Sequence, residues 1–218
     1  MRTRHFAMLG WLLTLALSSG EPLRLRIETW QAPALEVAKR LDDLHDAVSL
    51  AKFRAECLAG APGVTLISSP ALAVDSSTKE ALESITERMY PTEYEPQELA
   101  GSFISKEEPP KSLPAPTSFE TRNTGPTVEA TVEASEGEEK TWILRLGLED
   151  VTLVGSDTYG ETQKAISMPA FTTFRITTDL SLKEGQWRLA SVQEPPRGIE
   201  GKRSDLRWIT LVRIDEDK

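Results

Sequence analysis

The chain has 218 residues, with 34 acidic against 25 basic side chains and a formal net charge of −9. That deficit of positive charge excludes a nucleic-acid binder, which needs a basic footprint, and speaks against electrostatic adhesion to anionic lipid. A single cysteine, Cys57, excludes an internal disulfide, and one cysteine with two histidines is too few for a Cys/His metal cluster.

Residues 1–20 read as a secretory leader. Arg2 and Arg4 open it, an apolar run follows from Phe6 to Leu17, and Ser18, Ser19 and Gly20 suit cleavage before Glu21. The run is short for a bilayer span. Residues 21–60 are expected to form one strand and a helical segment. Leu23, Leu25 and Ile27 alternate with Arg24, Arg26 and Glu28, the period of a strand. Pro33 then opens a helix whose apolar positions are Ala34, Val37, Leu41, Leu44, Val48, Ala51, Ala55 and Leu58, spaced three and four apart on one face. This is either one helix or two helices broken near Asp46, closed by Gly60. Cys57, on the helix, is expected to be a buried small apolar residue.

Residues 61–94 begin a β-rich region, with short strands at Gly63–Ser68 and Ala71–Val74. Over residues 78–90 the spacing of Leu82, Ile85 and Met89 and the local propensities predict a helix. Residues 95–117 are proline-rich and are expected to be a linker or exposed loop.

Residues 118–215 are read as mostly antiparallel β-structure. In TSFETRNTGPTVEATV (residues 117–132) bulky and polar residues alternate on both sides of Asn123-Thr124-Gly125-Pro126. This predicts one long strand with a bend, or two strands meeting at a corner. Glu136–Glu139 supplies a turn, and Thr141–Leu146 returns as its partner, continued by Val151–Val154. Gly155–Ser167 is expected to be a loop. Ala170–Leu182 is a strand, Lys183-Glu184-Gly185 a turn, and Trp187–Val192 is expected to pair back on that strand. Leu206–Ile214 is the last strand.

No catalytic signature stands out. Glu107-Glu108 and Glu138-Glu139 sit in loop or turn contexts and read as solvated surface, and His45, on a charged helix face, is a poor triad base. The glycines at 125, 137 and 185 read as turns rather than a phosphate loop. Trp142, Trp187 and Trp208 read first as core or sheet-face packing, with a ligand platform as the alternative.

In the β-half, Phe119, Arg122 and Gly125 match a Phe-x-x-Arg-x-x-Gly start, Arg175 and Thr178 an Arg-x-x-Thr strand, and Gly185 a turn before a hydrophobic strand. In this order the chain resembles the homology core of bacterial secretins, the channel subunits of type II and type III secretion and type IV pilus systems. The upstream GVTLISSPALAV, from Leu66 to Pro70, resembles the segment in which secretins carry a Leu-x-Ser/Ala-Pro strand end, so the resemblance covers about residues 60–215. The chain departs from the family at Arg188–Ser191, which lacks a Gly-Gly pair.

The resemblance implies an α+β protein, an N-terminal helical segment followed by a mostly antiparallel β-sheet domain. It also implies strand rather than helix over residues 78–90. The six motif positions would be structural, and neither a cofactor nor a catalytic or metal site is expected. The implied role is a non-catalytic exported envelope protein, periplasmic or outer-membrane associated, with protein partners or self-association, and membrane contact left open. The alternatives are a channel-forming mini-secretin and a soluble β-domain that binds or hydrolyses a ligand.

Overall fold

A computed structural model describes residues 22–95, 115–160 and 165–216. The leader over residues 1–20, the interior of the proline-rich segment over 96–114 and the Glu107-Glu108 pair lie outside the described residues. The rest is mostly antiparallel β-sheet with two short helices.

Strand β1 (Leu23–Pro33) runs antiparallel to β10 (Leu206–Glu216) in unbroken register from Leu23↔Glu216 to Pro33↔Leu206, so the two ends of the described chain form the centre of one sheet. β2 (Thr65–Ser68) and β3 (Ala71–Val74) flank β1, and β9 (Arg188–Gln193) flanks β10. One face of this sheet carries Leu23, Leu25, Ile27, Val212 and Ile214; the other carries Trp30, Ala32, Ile209 and Leu211. Both faces are covered, which is why the centre of β1 is buried without interruption from Ile27 to Trp30.

The cover on the second face is helical. α1 (Ala34–Arg40) and α2 (Ala47–Leu58) are separated by a 3₁₀ turn over Asp43–His45 and by Asp46, whose backbone is extended and whose side chain accepts the Ser49 N–H at 2.8 Å. The two-helix alternative therefore holds, but the single apolar face does not. Val37 and Leu44 are buried, whereas Leu41, Val48 and Leu58 are exposed, and α2 buries Leu50, Phe53 and Cys57 instead. The break at Asp46 starts a new helical phase, so spacing counted across it points the second helix the wrong way.

The first face packs on a second sheet, in the order β4 (Lys79–Glu83), β6 (Pro116–Ala134), β7 (Thr141–Tyr159), β8 (Ile166–Lys183), with β5 (Thr86–Tyr94) also on β6. Val128, Ala130, Val132, Leu144, Leu146, Leu148, Phe174, Ile176 and Leu182 meet the first sheet in one core. Each such Val, Leu, Ile or Phe side chain contributes about 1.5–3 kcal/mol by leaving water.

Lys79–Glu83 and Thr86–Tyr94 are thus strands, up to Tyr90 as the resemblance implied and against local helix propensity; pairing with β6 supplies the backbone hydrogen bonds that a helix would have made internally. The loop expected over 155–167 is also corrected. β7 and β8 stay paired out to Tyr159↔Ile166, and Gly155 marks a register shift rather than a chain reversal. A further correction concerns β9, which pairs with β10 and not with β8. The chain leaves the second sheet at Gly185, whose N–H donates to the Ile214 carbonyl at 2.8 Å, and crosses to the first.

Candidate interaction site at the sheet fork

β6 is one strand of 19 residues with two consecutive partners on one side, β4 opposite residues 127–131 and β5 opposite residues 116–124. On its other side β6 pairs with β7 only from Ala134↔Trp142 up to Gly125↔Val151. Above that level the sheet forks into two ribbons, β5 with β6 and β7 with β8. The fork turns on Gly125. Its φ is +112°, and a Cβ there would lie 2.2 Å from the Ser84 carbonyl oxygen, between β4 and β5. The Ser84 N–H donates to the Pro126 carbonyl at 3.0 Å, so the proline sits at the bend.

The ribbons face each other through Tyr90, Phe171 and Arg122. The two rings are 5.8 Å apart, and the Arg122 guanidinium stands 5.3 Å over the Phe171 ring. Below them is a cleft of about 270 Å³ lined by Ile85, Arg122, Asn123, Gly125, Glu149 and Val151, among others. Arg175 donates to Glu149 at 2.8 Å. Three of the six motif positions therefore gather at the fork: Arg122 and Gly125 line the cleft, and Arg175 is tied to its acid; Phe119, 51 % exposed, lies farther out on the same ribbon as Arg122, opposite Pro91. Thr178 and Gly185 lie elsewhere, Thr178 opposite Leu146 within the β7–β8 ladder and Gly185 at the crossing between sheets.

The outward face of the second sheet is polar and paired across its strands: Lys79 with Glu129 at 2.8 Å, Arg145 with Glu133 at 3.4 Å, and Arg175 with Glu149. The tryptophans make no common platform. Trp187 is buried on the helical side, with Arg54 4.4 Å from its centroid. Trp142 and Trp208 pack against the inter-sheet core, and Trp208 Nε1 donates to Gln31 Oε1 at 3.0 Å.

Sequence reasoning missed the ionic centre of the molecule. Glu28 is buried under α2 and accepts two hydrogen bonds from Arg54, at 2.7 and 2.6 Å, and one from Trp30 Nε1 at 2.9 Å. Burial pushes its carboxyl up, but the bonds from Arg54 and Trp30 and the charges of Arg54 and Arg26 outweigh this and hold it below the ordinary value. The alternation in β1 marks Glu28 as a solvent-side residue; only the helical layer reveals that this side is covered. A second cleft, of about 290 Å³, lies under the helices against Ala32, Val37, Phe53, Cys57 and Val64. Its charged lining groups are ion-paired, Glu36 with Lys39 and Arg40 with Glu56. Burial, with the nearby Glu56 charge, pushes the Cys57 thiol up to about 11, which makes it a packed and unreactive group.

Among the described residues no group of three or more acidic, histidine or cysteine side chains is placed to hold a metal ion, and no helix is long and apolar enough to cross a membrane. No family model and no curated protein matches the chain. Solved structures do. The secretin-domain β-barrel of InvG, from the Salmonella SPI-1 injectisome, has 13% identity and a TM-score of 0.42, over 90% of this chain and 61% of that one. Aeromonas hydrophila ExeD has 14% identity and a TM-score of 0.39, over 90% and 48%. The V. cholerae type IV competence pilus secretin PilQ has 10% identity and a TM-score of 0.38, over 92% and 60%. The chain thus spans between about half and three fifths of the length of these proteins, and over some nine tenths of its own length it is similar to secretin domains.

Proposed function

We propose that this chain is a non-catalytic, exported envelope protein that serves as a structural component of a secretion or pilus-type apparatus and assembles by pairing strand edges. The carrying observation is β8. It has 18 residues, pairs with β7 on one side and, among the described residues, carries no strand on the other. A long edge rich in Thr, Phe and Ile, with Pro169, Arg175, Asp179 and Lys183 as its only breaks, is a template for another strand. The opposite edge of the sheet, β4 and β5, is likewise unpaired among the described residues, so successive copies can join head to tail. The order of the motif residues supports the same reading, and Arg122, Gly125 and Arg175 then serve as the framework of the fork.

The test is to block the edge without harming the sheet. The Arg175 carbonyl accepts a bond from Gln193 and so points away from β7; in an antiparallel ladder the main chain at 173 and 177 points the same way. Thr177→Pro therefore removes an outward donor. Native mass analysis of envelope extracts is expected to find multimers or complexes of the natural chain and at least a tenfold loss of them in Thr177→Pro. A natural chain that is strictly monomeric and co-purifies with no envelope component overturns the proposal.

A further inference from the structure

Among the described residues two cation pairs stand directly opposite each other in register, Arg26↔Arg213 in the first sheet and Arg88↔Arg122 in the β5–β6 ribbon. Like charges so placed repel, and a sheet that keeps them has something to offset the repulsion. In the first pair the answer is visible. Asp215, two residues beyond Arg213 on the same strand, takes bonds from Arg26 at 3.1 and 2.6 Å and from Arg213 at 2.8 and 2.6 Å, so that one carboxylate bridges both guanidinium groups. Arg26 also stands 5.6 Å over the ring of Trp187.

Among the described residues, the second pair repeats this arrangement without the acid. Arg122 stands over Phe171 as Arg26 does over Trp187. The position two residues beyond Arg122, matching Asp215, is Thr124, whose hydroxyl donates to the Thr86 carbonyl at 3.1 Å. On the other side Glu120 accepts from the Tyr90 hydroxyl at 3.3 Å and makes no ion pair with either arginine. Both arginines are exposed, in a chain whose net charge of −9 otherwise repels anions.

We infer that Arg88 and Arg122 form a binding site for a carboxylate of an acidic protein segment, which takes the bridging place that Asp215 fills in the first sheet. The planar guanidinium fork suits a carboxylate held by two arginines, and the ring under Arg122 pre-orients one of them. The site is independent of strand-edge assembly, because it uses side chains on a ribbon face and not main-chain groups of an edge.

Arginine side-chain NMR on the full chain tests it, with a blocked Ala-Asp-Ala peptide as probe. The Nε–H signals of Arg88 and Arg122 are expected to move together along one saturating curve. Arg88→Gln is expected to weaken the response of Arg122 at least tenfold. Thr124→Asp is expected to abolish it while raising the melting temperature, since it supplies the missing acid from within. A response that stays linear in peptide, or that persists unchanged in Arg88→Gln, overturns the proposal. So does a response to phosphatidylglycerol vesicles with none to the peptide, which would make the site one for lipid phosphate.

Discussion

At the scale of single residues, Glu28 is the acid on which the helical layer depends. Its partners come from both layers, Arg54 from α2 and Trp30 from β1, and its side chain is 10% exposed against 23% for Arg54. Glu28→Gln keeps the shape but leaves a partly buried guanidinium without its counter-charge, which is expected to cost about 2–3 kcal/mol after allowance for the solvent that still reaches Arg54. The pH dependence has a definite sign. The folded carboxyl titrates below its ordinary value, so its contribution is complete above the unfolded carboxylate range, near pH ~4.3, and fades as pH falls through the folded value. Denaturation of the natural chain and of Glu28→Gln should therefore differ most at neutral pH and converge in acid; a difference that grows as pH falls refutes the assignment.

At the scale of elements, the fork depends on one glycine. Gly125 combines a φ of +112° with a carbonyl oxygen 2.2 Å from where a Cβ would stand, whereas Gly137, at φ +78° in the β6–β7 turn, has nothing within 4 Å. Gly125→Ala must move the Ser84 backbone, so it is expected to cost more than about 3 kcal/mol, against about 1 kcal/mol for Gly137→Ala. Urea titrations of the two variants measure this, and equal losses would show that the fork is soft. The elements were unevenly legible in the sequence. Alternation revealed β1 and β6, the apolar stretch Leu206–Ile214 was read as the last strand, and Gly125-Pro126 announced the bend, because these signals are local. The phase of α2 was not legible, since Asp46 resets it by a cap that apolar spacing does not register. Nor was the partner of β9: adjacency suggests β8, but burial of Trp187, Leu189 and Val192 on the helical side draws the strand across to β10. The arginine pairs are invisible without strand register, which sets Arg88 against Arg122 across 33 intervening residues.

At the scale of the whole molecule, the stability of the sheets is shared and that of the ribbons is not. The inter-sheet core takes Leu23, Leu25, Ile27, Val212 and Ile214 from one sheet and Val128, Leu144, Leu146 and Ile176 from the other. Loss of either sheet exposes the apolar face of its neighbour, and β1 and β10, from opposite ends of the chain, also floor the helical cluster. These couplings predict a single cooperative unfolding transition for the three layers. Trp187 reports the helical cluster and Trp142 the second sheet, so fluorescence of single-tryptophan variants and far-ultraviolet circular dichroism should give coincident curves. The ribbons beyond Gly125 and Val151 are different. Phe119, Met89 and Tyr159 are 51%, 74% and 59% exposed, and Tyr90, Arg122 and Phe171 are the main side-chain contacts between the ribbons. Amides in the upper parts of β5 and β6 should therefore exchange by local opening well below the global unfolding free energy, while those of β1 and β10 exchange only on global unfolding. Equal protection along the full length of β6 would mean that something holds the ribbons besides these contacts; a graded fall above Gly125 leaves them free to order on a partner.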